Sequence, residues 1–211
     1  MGYATGIVDF TRGELGTRGT PEQRLDEAAA AAKIMGVSFR ENLDFEDGWF
    51  ENDRDHQIAV IRKIRKYRPE IVLATAIYDR HPDHGRAARV MNEALFKSGL
   101  EKIHTIDEDG NPQLPWRPKK TYHYIQSVSL EPDFLVDVSE HHSIKMEAVR
   151  AYKSQFYDPN SDEPETYIST PEFMNMLEAR SAEYGHRIGV KYAEGFIQHQ
   201  FLGVKNLFDL V

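Results

Sequence analysis

Short apolar runs alternate with helical segments along most of this chain, and that alternation restricts the possible fold more than any other feature. The run over residues 71–76 is typical of a buried parallel strand, and Pro69 separates it from a helical segment that ends at Tyr67. Another helix is expected over residues 83–98. Strands that alternate with helices form a parallel sheet with helices on both faces, so the sequence predicts an α/β fold.

The clearest local signal is the start of the first helix. Thr20 can cap the helix, Pro21 suits the first helical position, and Gln23 completes a capping box. Gly36 provides the stop, so a helix over Pro21–Met35 is predicted. The other predicted elements are strands over residues 5–10, 37–45, 121–128 and 134–138, helices over 143–156 and 172–187, and a polar loop over 157–170 that is either a mobile lid or disordered.

Composition narrows the range of partners. A chain of 211 residues with 40% hydrophobic content can form one substantial core, so a single domain over residues 1–211 is expected. The formal net charge of -8 argues against a nucleic-acid or membrane-surface binder, because both partners are polyanions. Without cysteine, any metal must be held by His and carboxylate side chains. No long apolar run and no signal sequence is visible, which predicts a cytoplasmic location.

The segment over residues 78–84 carries the most specific chemistry. It follows the strand predicted over residues 71–76, and open α/β sheets bind ligands at the carboxyl ends of their strands. His81 and His84 flank Asp83, which provides one imidazole that can bind Zn²⁺, a second that can become cationic, and a carboxylate that can orient one of them. The alternative is a solvated helix N-terminus, where Asp and Pro are common.

A glycine-rich loop over residues 11–20 is a second candidate. Its glycines would let the backbone approach a ligand, and Arg12, Arg18 and Arg24 could meet a carboxylate or phosphate. Arg24 is favoured because it lies in the first turn of the helix, and the alternative is a flexible loop with solvated arginines. The loop matches neither phosphate-binding glycine motif, so nucleotide binding is a weak hypothesis.

Two further patterns are less specific. By spacing alone, residues 192–196 are more typical of a strand edge than of a site, although they include Glu194. The pair His141 and His142 has no visible third partner, which favours a solvated helix start.

Taken together, these motifs resemble those of the LmbE-like/PIG-L-like deacetylases. The similarity is greatest to the branch in bacillithiol biosynthesis that deacetylates N-acetyl-glucosaminyl-malate, and it extends through nearly the whole chain. It rests on residues 6–9, 12–20, 24, 28–36, 80–84, 152, 154–156 and 192–196.

The resemblance implies roles for individual residues. His84 would be a zinc ligand and His81 the active-site histidine, with Asp83 supporting His81, while Arg24 and Arg80 would line the site. Arg18 and Glu194 complete the candidate substrate-binding residues. The implied fold is a Rossmann-like parallel-sheet sandwich, often assembled as a hexamer.

One departure from the family pattern concerns the metal site. The family begins with a strand that ends in Ala-His-Pro-Asp-Asp, in which the His and second Asp bind zinc and the first Asp is the general base; this sequence contains no such motif. We therefore expect the first strand to be missing, through a truncation or a start placed too far downstream, and with it two ligands and the base. A smaller departure is Phe173, at a position where some relatives carry a loop tyrosine.

Two hypotheses follow from the resemblance. The first is a zinc-dependent N-deacetylase that hydrolyses the acetamide of an N-acetyl-glucosamine conjugate, with N-acetyl-glucosaminyl-malate as the expected substrate. The second is a non-catalytic subunit that binds a sugar conjugate or serves in assembly, because the expected ligand set is incomplete.

Overall fold

The structure of the protein is a computed structural model that describes residues 2–210. Helices and strands alternate along most of the chain, as the sequence predicts. In chain order they are β1 (Gly6–Asp9), α1 (Pro21–Met35), β2 (Phe39–Asn42), α2 (Arg54–Tyr67), β3 (Ile71–Ala74), α3 (Pro82–Lys97), β4 (Lys120–Tyr124), β5 (Phe134–Asp137), α4 (His142–Arg150), α5 (Pro171–Ile188), β6 (Ala193–Gln198) and a 3₁₀ helix (Leu207–Leu210).

Helix α1 begins and ends where its sequence signals predict. The Thr20 hydroxyl accepts the backbone N–H of Gln23, and the Gln23 side chain accepts the backbone N–H of Thr20 at 2.8 Å. Gly36 ends the helix in the left-handed region with φ 67°, which a residue with a Cβ adopts at a cost. These contacts involve near neighbours in the sequence, which is why the boundaries could be predicted.

Helix α4 is shorter than predicted, ending at Arg150 rather than near residue 156. The next residues turn toward α1 instead. The Ser154 backbone N–H and hydroxyl both donate to the Glu27 carboxylate at 2.7 Å, and the Gln155 amide donates to the Arg18 carbonyl at 3.1 Å. Contacts with a distant helix therefore override the local helical preference of this segment.

The sheet arrangement confirms the α/β class and differs from the prediction in detail. Strands β1 and β2 form a parallel pair, and a second sheet has the order β3-β4-β6-β5. Strand β3 is parallel to β4, but β6 is antiparallel to both β4 and β5. Hydrophobic periodicity identifies a strand without giving its direction, so the sequence could not reveal that β6 enters between two strands that run the other way.

Strands β1 and β3 are each paired on one edge only within residues 2–210. A free edge exposes unpaired backbone N–H and C=O groups. The missing first strand inferred from the family pattern stays a prediction, as does the organisation of residues 1–211 as one domain.

The two faces of β3 lie in different environments. On one face Ala74 is buried and Val72 packs against the main core cluster, which α2 and α3 supply together with Phe45 and Phe50. On the other face Ile71 and Leu73 are 56% and 57% exposed. Helices on both faces were predicted, yet one face of β3 is open to solvent.

Candidate active site

The segment over residues 78–84 lies at the carboxyl end of β3 and leads into α3. His81 is the N-cap of α3, its Nδ1 accepts the backbone N–H of Asp83 at 3.3 Å, and Pro82 occupies the first turn. Because Nδ1 is an acceptor in this bond, a neutral His81 carries its proton on Nε2. The exposed His81 side chain therefore presents an N–H donor to whatever binds beyond the strand.

His84 forms a short polar contact with Asp79. Its Nδ1 lies 2.5 Å from Oδ2 of Asp79, whose side chain has 0% exposure. The rings of His81 and His84 are 5.2 Å apart between centroids. In the neutral imidazole that donates from Nδ1 to the carboxylate, Nε2 of His84 carries a free lone pair, the form in which an imidazole can bind a metal ion or accept a proton.

Asp79 is held by more than the histidine. Its Oδ1 accepts the backbone N–H groups of Ser127 and Val128, both at 2.9 Å. Burial alone would raise the Asp79 pKa, but the hydrogen bonds from His84 and from backbone N–H groups outweigh it, and the pKa lies below its usual value. The sequence analysis assigned no role to Asp79, and its only signal was a carboxylate five positions before a histidine.

Asp83 does not support His81 in the way the resemblance implies. Its carboxylate accepts the backbone N–H of Gly48 at 2.8 Å and pairs with Arg86 at 2.5 Å. Arg86 also donates to the Gly48 carbonyl at 3.0 Å. The side chain of Asp83 therefore fastens a neighbouring turn to α3, and its only contact with His81 is through its backbone N–H. A catalytic role for Asp83 stays a proposal.

The same turn fastens the glycine-rich loop beside the His81 segment. Asp47 accepts the Leu15 backbone N–H at 3.1 Å, and its own N–H donates to Glu14 at 2.9 Å. Asp47 is the neighbour of Gly48, which bonds Asp83. The structure therefore brings together the two candidate regions of the sequence, residues 11–20 and 78–84, which are almost sixty positions apart.

Arg24 is enclosed by the glycine-rich loop. A Cβ added at Gly13 or Gly16 would lie 1.8 or 1.9 Å from the Arg24 guanidinium, so a larger residue at either position would displace the end of the Arg24 side chain. Arg24 donates to the Gln155 side chain at 2.5 Å, and its Nε is buried without a partner. Burial lowers its pKa. An arginine with an unused buried donor is ready to bind an acceptor, and we retain Arg24 as a proposed substrate-binding residue.

Arg18 contacts the polar loop over residues 157–170 and is not exposed to solvent. It is 5% exposed, and its guanidinium donates to Glu163 at 3.2 Å and to Ser161 at 2.6 Å. The Gly19 backbone N–H also bonds Glu163. Its donors are thus engaged within the chain, so Arg18 can affect a substrate through the position of this loop.

The same loop contacts Arg80. The Arg80 guanidinium carbon lies 4.3 Å from the ring centroid of Tyr167, and that ring meets the Phe173 ring edge-on with centroids 5.3 Å apart. Phe173 packs within an aromatic group, and the tyrosine beside the His81 segment is Tyr167. The sequence analysis did not single out Tyr167, because nothing in its local sequence indicates this contact.

Glu194 lies apart from these groups. It forms an ion pair with Lys145 at 2.5 Å, and no described contact joins it to His81, His84 or Arg24.

His142 is buried. It is 5% exposed and stacks on Tyr192 with centroids 3.7 Å apart, so the predicted solvated helix start is wrong for His142. Its Nε2 has no partner, and burial lowers its pKa. Stacking on a residue fifty positions away causes this burial, which spacing does not reveal.

A zinc ion needs about three protein ligands at a catalytic site. Within residues 2–210 there is no group of three or more His, Asp or Glu side chains that could hold a metal ion. His84 offers one free imidazole nitrogen, oriented by Asp79. The described residues therefore do not form the implied zinc site by themselves.

No helix in the described part of the chain is long and apolar enough to cross a membrane.

Comparisons with known proteins identify the chain's relatives. The family described as "PIG-L: GlcNAc-PI de-N-acetylase" matches residues 1–95. Diacetylchitobiose deacetylase from Thermococcus kodakarensis is 30% identical over 208 residues, which cover 94% of this chain and 72% of the relative.

Two solved structures share the fold. The conserved protein TT1542 from Thermus thermophilus has a TM-score of 0.83 and 34% identity, covering 97% of this chain and 86% of that protein. N,N'-diacetylchitobiose deacetylase from Pyrococcus horikoshii has a TM-score of 0.74 at 23% identity, covering 99% and 78%. The chain belongs to the PIG-L/LmbE-like deacetylases, a family of enzymes that hydrolyse N-acetyl groups.

Proposed function

We propose that this chain is a de-N-acetylase acting on an N-acetylglucosamine conjugate, with its reacting centre between His81 and His84. The observation that carries the proposal is the contact between His84 and the buried Asp79, 2.5 Å apart, at the carboxyl end of β3. Support also comes from the relatives, among them a diacetylchitobiose deacetylase that covers most of this chain.

The reaction adds water across the C–N bond of the acetamide and releases acetate and a free amine. Negative charge develops on the carbonyl oxygen as the tetrahedral intermediate forms. His81, with Nδ1 engaged by the Asp83 backbone, can donate its Nε2 proton in a hydrogen bond to that oxygen. Arg80 and Arg24 are the proposed substrate-positioning residues, whereas Arg18, through its loop, and Glu194, in its pair with Lys145, are weaker proposals.

Zinc dependence is part of the proposal. Bound zinc would polarise the carbonyl and lower the pKa of water, and His84 Nε2 is the nitrogen available to it. Within residues 2–210, His84 is not part of a group of three possible metal ligands. The role of His84 in the chain's own chemistry is to present a ring nitrogen that its contact with Asp79 orients.

The second candidate is a non-catalytic subunit that binds a sugar conjugate or assembles with other copies. The incomplete ligand group is the observation that favours it. Assembly itself, a hexamer by family resemblance, is supported by the C-terminal segment, where Phe201 and Phe208 are 98% and 85% exposed. A cytoplasmic location and the malate conjugate of bacillithiol biosynthesis are proposals that rest on the sequence alone.

The decisive test measures acetate release from N-acetylglucosamine and its conjugates, with the purified chain loaded with zinc. We expect release by the unaltered chain at saturating zinc, a loss of at least about 100-fold in His84→Ala and in His81→Ala, and weaker zinc retention in His84→Ala than in the unaltered chain. His104→Ala, which changes a histidine in a loop after α3, is the matched control. Unchanged release by His84→Ala would refute the assignment, and absence of both release and zinc in the unaltered chain would support the non-catalytic alternative.

A further inference from the structure

The segment that follows α4 is fastened to α1 at two neighbouring points. Ser154 donates to the Glu27 carboxylate from its backbone N–H and its hydroxyl, both at 2.7 Å. The next residue, Gln155, accepts a hydrogen bond from Arg24 at 2.5 Å. Arg24 and Glu27 are three positions apart in α1 and therefore lie on one face of the helix. Because Ser154 already docks the segment with two hydrogen bonds, the contact made by Gln155 is left to act on Arg24.

The side-chain amide of Gln155 is engaged at both ends. Its Oε1 accepts from the Arg24 guanidinium, while its Nε2 donates to the Arg18 carbonyl at 3.1 Å and to the Ser154 hydroxyl at 3.0 Å. Both Nε2 hydrogens are thus used. Turning the amide over would place its oxygen against the Arg18 carbonyl and its donor against Arg24. The acceptor end of Gln155 is therefore held toward the guanidinium.

The charge of Arg24 is oriented without being neutralised. Its guanidinium donates to two neutral acceptors, Gln155 and the Arg18 carbonyl at 3.4 Å, and it has no carboxylate partner among residues 2–210. Burial lowers the Arg24 pKa, while carboxylates that do not contact it, among them Asp47 and Glu27, act in the opposite direction. A carboxylate in place of the Gln155 amide would pair with the guanidinium and occupy its donors.

The buried Nε of Arg24, which has no partner, is the donor that this arrangement keeps available. Resting on the proposed deacetylase function, in which Arg24 positions the substrate, we infer that Gln155 is the residue that positions Arg24. It fixes the guanidinium within the glycine-rich loop and leaves its charge unpaired for the substrate. A purely structural role for Gln155 would instead affect stability alone.

The first test is spectroscopic and does not require turnover. The Nε–H resonance of Arg24 is identified in ¹⁵N NMR spectra of the purified chain by its absence in Arg24→Lys, and its hydrogen exchange is measured. Gln155→Met keeps the size of the side chain but removes the acceptor, so exchange should become at least about tenfold faster. Gln155→Glu keeps the acceptor and should leave exchange as slow as in the unaltered chain or slower.

Tyr152→Phe is the matched control for that measurement. Tyr152 lies in the same turn, because its carbonyl accepts the Gln155 backbone N–H at 3.0 Å, but its hydroxyl contacts Arg40 and not Arg24. The control should leave Arg24 exchange unchanged. Unchanged exchange in Gln155→Met, or equal acceleration in Gln155→Met and Tyr152→Phe, overturns the inference.

The second test separates orientation from charge. Titration with N-acetylglucosamine, followed by NMR, should show binding about tenfold weaker in Gln155→Met, where Arg24 is no longer oriented. Binding should also be about tenfold weaker in Gln155→Glu, where Arg24 is ordered but shares its donors with a carboxylate. Tyr152→Phe should bind as the unaltered chain does. Binding by Gln155→Glu that equals that of the unaltered chain overturns the inference.

Failure of the proposed function has a different signature. If the unaltered chain neither binds N-acetylglucosamine nor releases acetate, while exchange responds to Gln155 as expected, the deacetylase proposal fails and the contact between Gln155 and Arg24 keeps its positioning role. Acetate release and binding that are the same in the unaltered chain and both Gln155 variants would overturn the inference and leave the deacetylase proposal in place.

Discussion

The two sides of β3 show how differently one strand can be supported. On the α3 side, Val72 and Ala74 lie on a closed core. The Nδ1 of the buried His123 donates to the Thr75 carbonyl at 2.6 Å, and its Nε2 lies 3.1 Å from the Asn92 side-chain amide. On the other side Ile71 and Leu73 are more than half exposed. The His81 segment follows the carboxyl end of β3, and the contact between His84 and the buried Asp79 holds it against the packed part of the molecule. The open side of β3, in contrast, leaves room for a partner.

The largest effect is expected from Arg65, on the packed side. It is 3% exposed, and its guanidinium donates to the carbonyls of Ser98, Leu100 and Ile103 and to the Thr105 hydroxyl at 2.7–3.0 Å. Replacing it with Met leaves these acceptors buried and unpaired, so Arg65→Met should lower the free energy of unfolding by about 3–5 kcal/mol in urea titrations.

The control for that change is Arg62→Met on the same helix, at an exposed position, which should change stability by less than about 0.5 kcal/mol. If both variants lose the same amount, the packed side does not depend on this arginine.

An intermediate effect is expected from Asp79→Asn, which removes the charge beneath His84. At neutral pH the variant should lose about 1–3 kcal/mol of unfolding free energy. The folded-state pKa of Asp79 is lowered, so its stabilisation is complete above the ordinary aspartate pKa of about 3.9 and disappears as the pH falls through the lower folded value. The difference between unaltered chain and variant should therefore shrink on acidification, measured by denaturant unfolding across pH.

Asp137→Asn is the comparison for this pH series. Asp137 is exposed and accepts from Ser139, so its replacement should give a smaller difference at neutral pH. A difference for Asp79→Asn that persists undiminished at acidic pH would contradict a role for the ionised carboxylate.

The smallest effect is expected on the open side. Leu73→Ala should cost under about 1 kcal/mol, because more than half of that side chain is already in water. Ile61→Ala, at a core position with 0% exposure, should cost about 3–4 kcal/mol. Both are measured by thermal and urea unfolding. A large, concentration-dependent cost for Leu73→Ala would mean that another copy covers this face in solution.

Much of the fold could be predicted because its signals are local. The start of α1 depends on Thr20, Pro21 and Gln23, which contact one another within one helical turn. Pro69 marks the end of α2, which stops at Tyr67 as predicted. The position of the His81 segment after β3 could be predicted for the same reason, because a strand followed by a helix start is visible in adjacent residues.

Only the tertiary structure shows which hydrogen-bond partners the candidate functional side chains have. Asp79 is held by backbone N–H groups 48 and 49 positions away, Asp83 by a turn 35 positions away, and Arg18 by a glutamate 145 positions away. The direction of β6 and the burial of His142 likewise depend on contacts between residues far apart in the sequence. By itself the sequence determined where helices begin and that the His81 segment follows β3, since those depend on neighbours within a turn. Which carboxylate orients which histidine depends on the path of the whole chain, so only the folded structure could decide it.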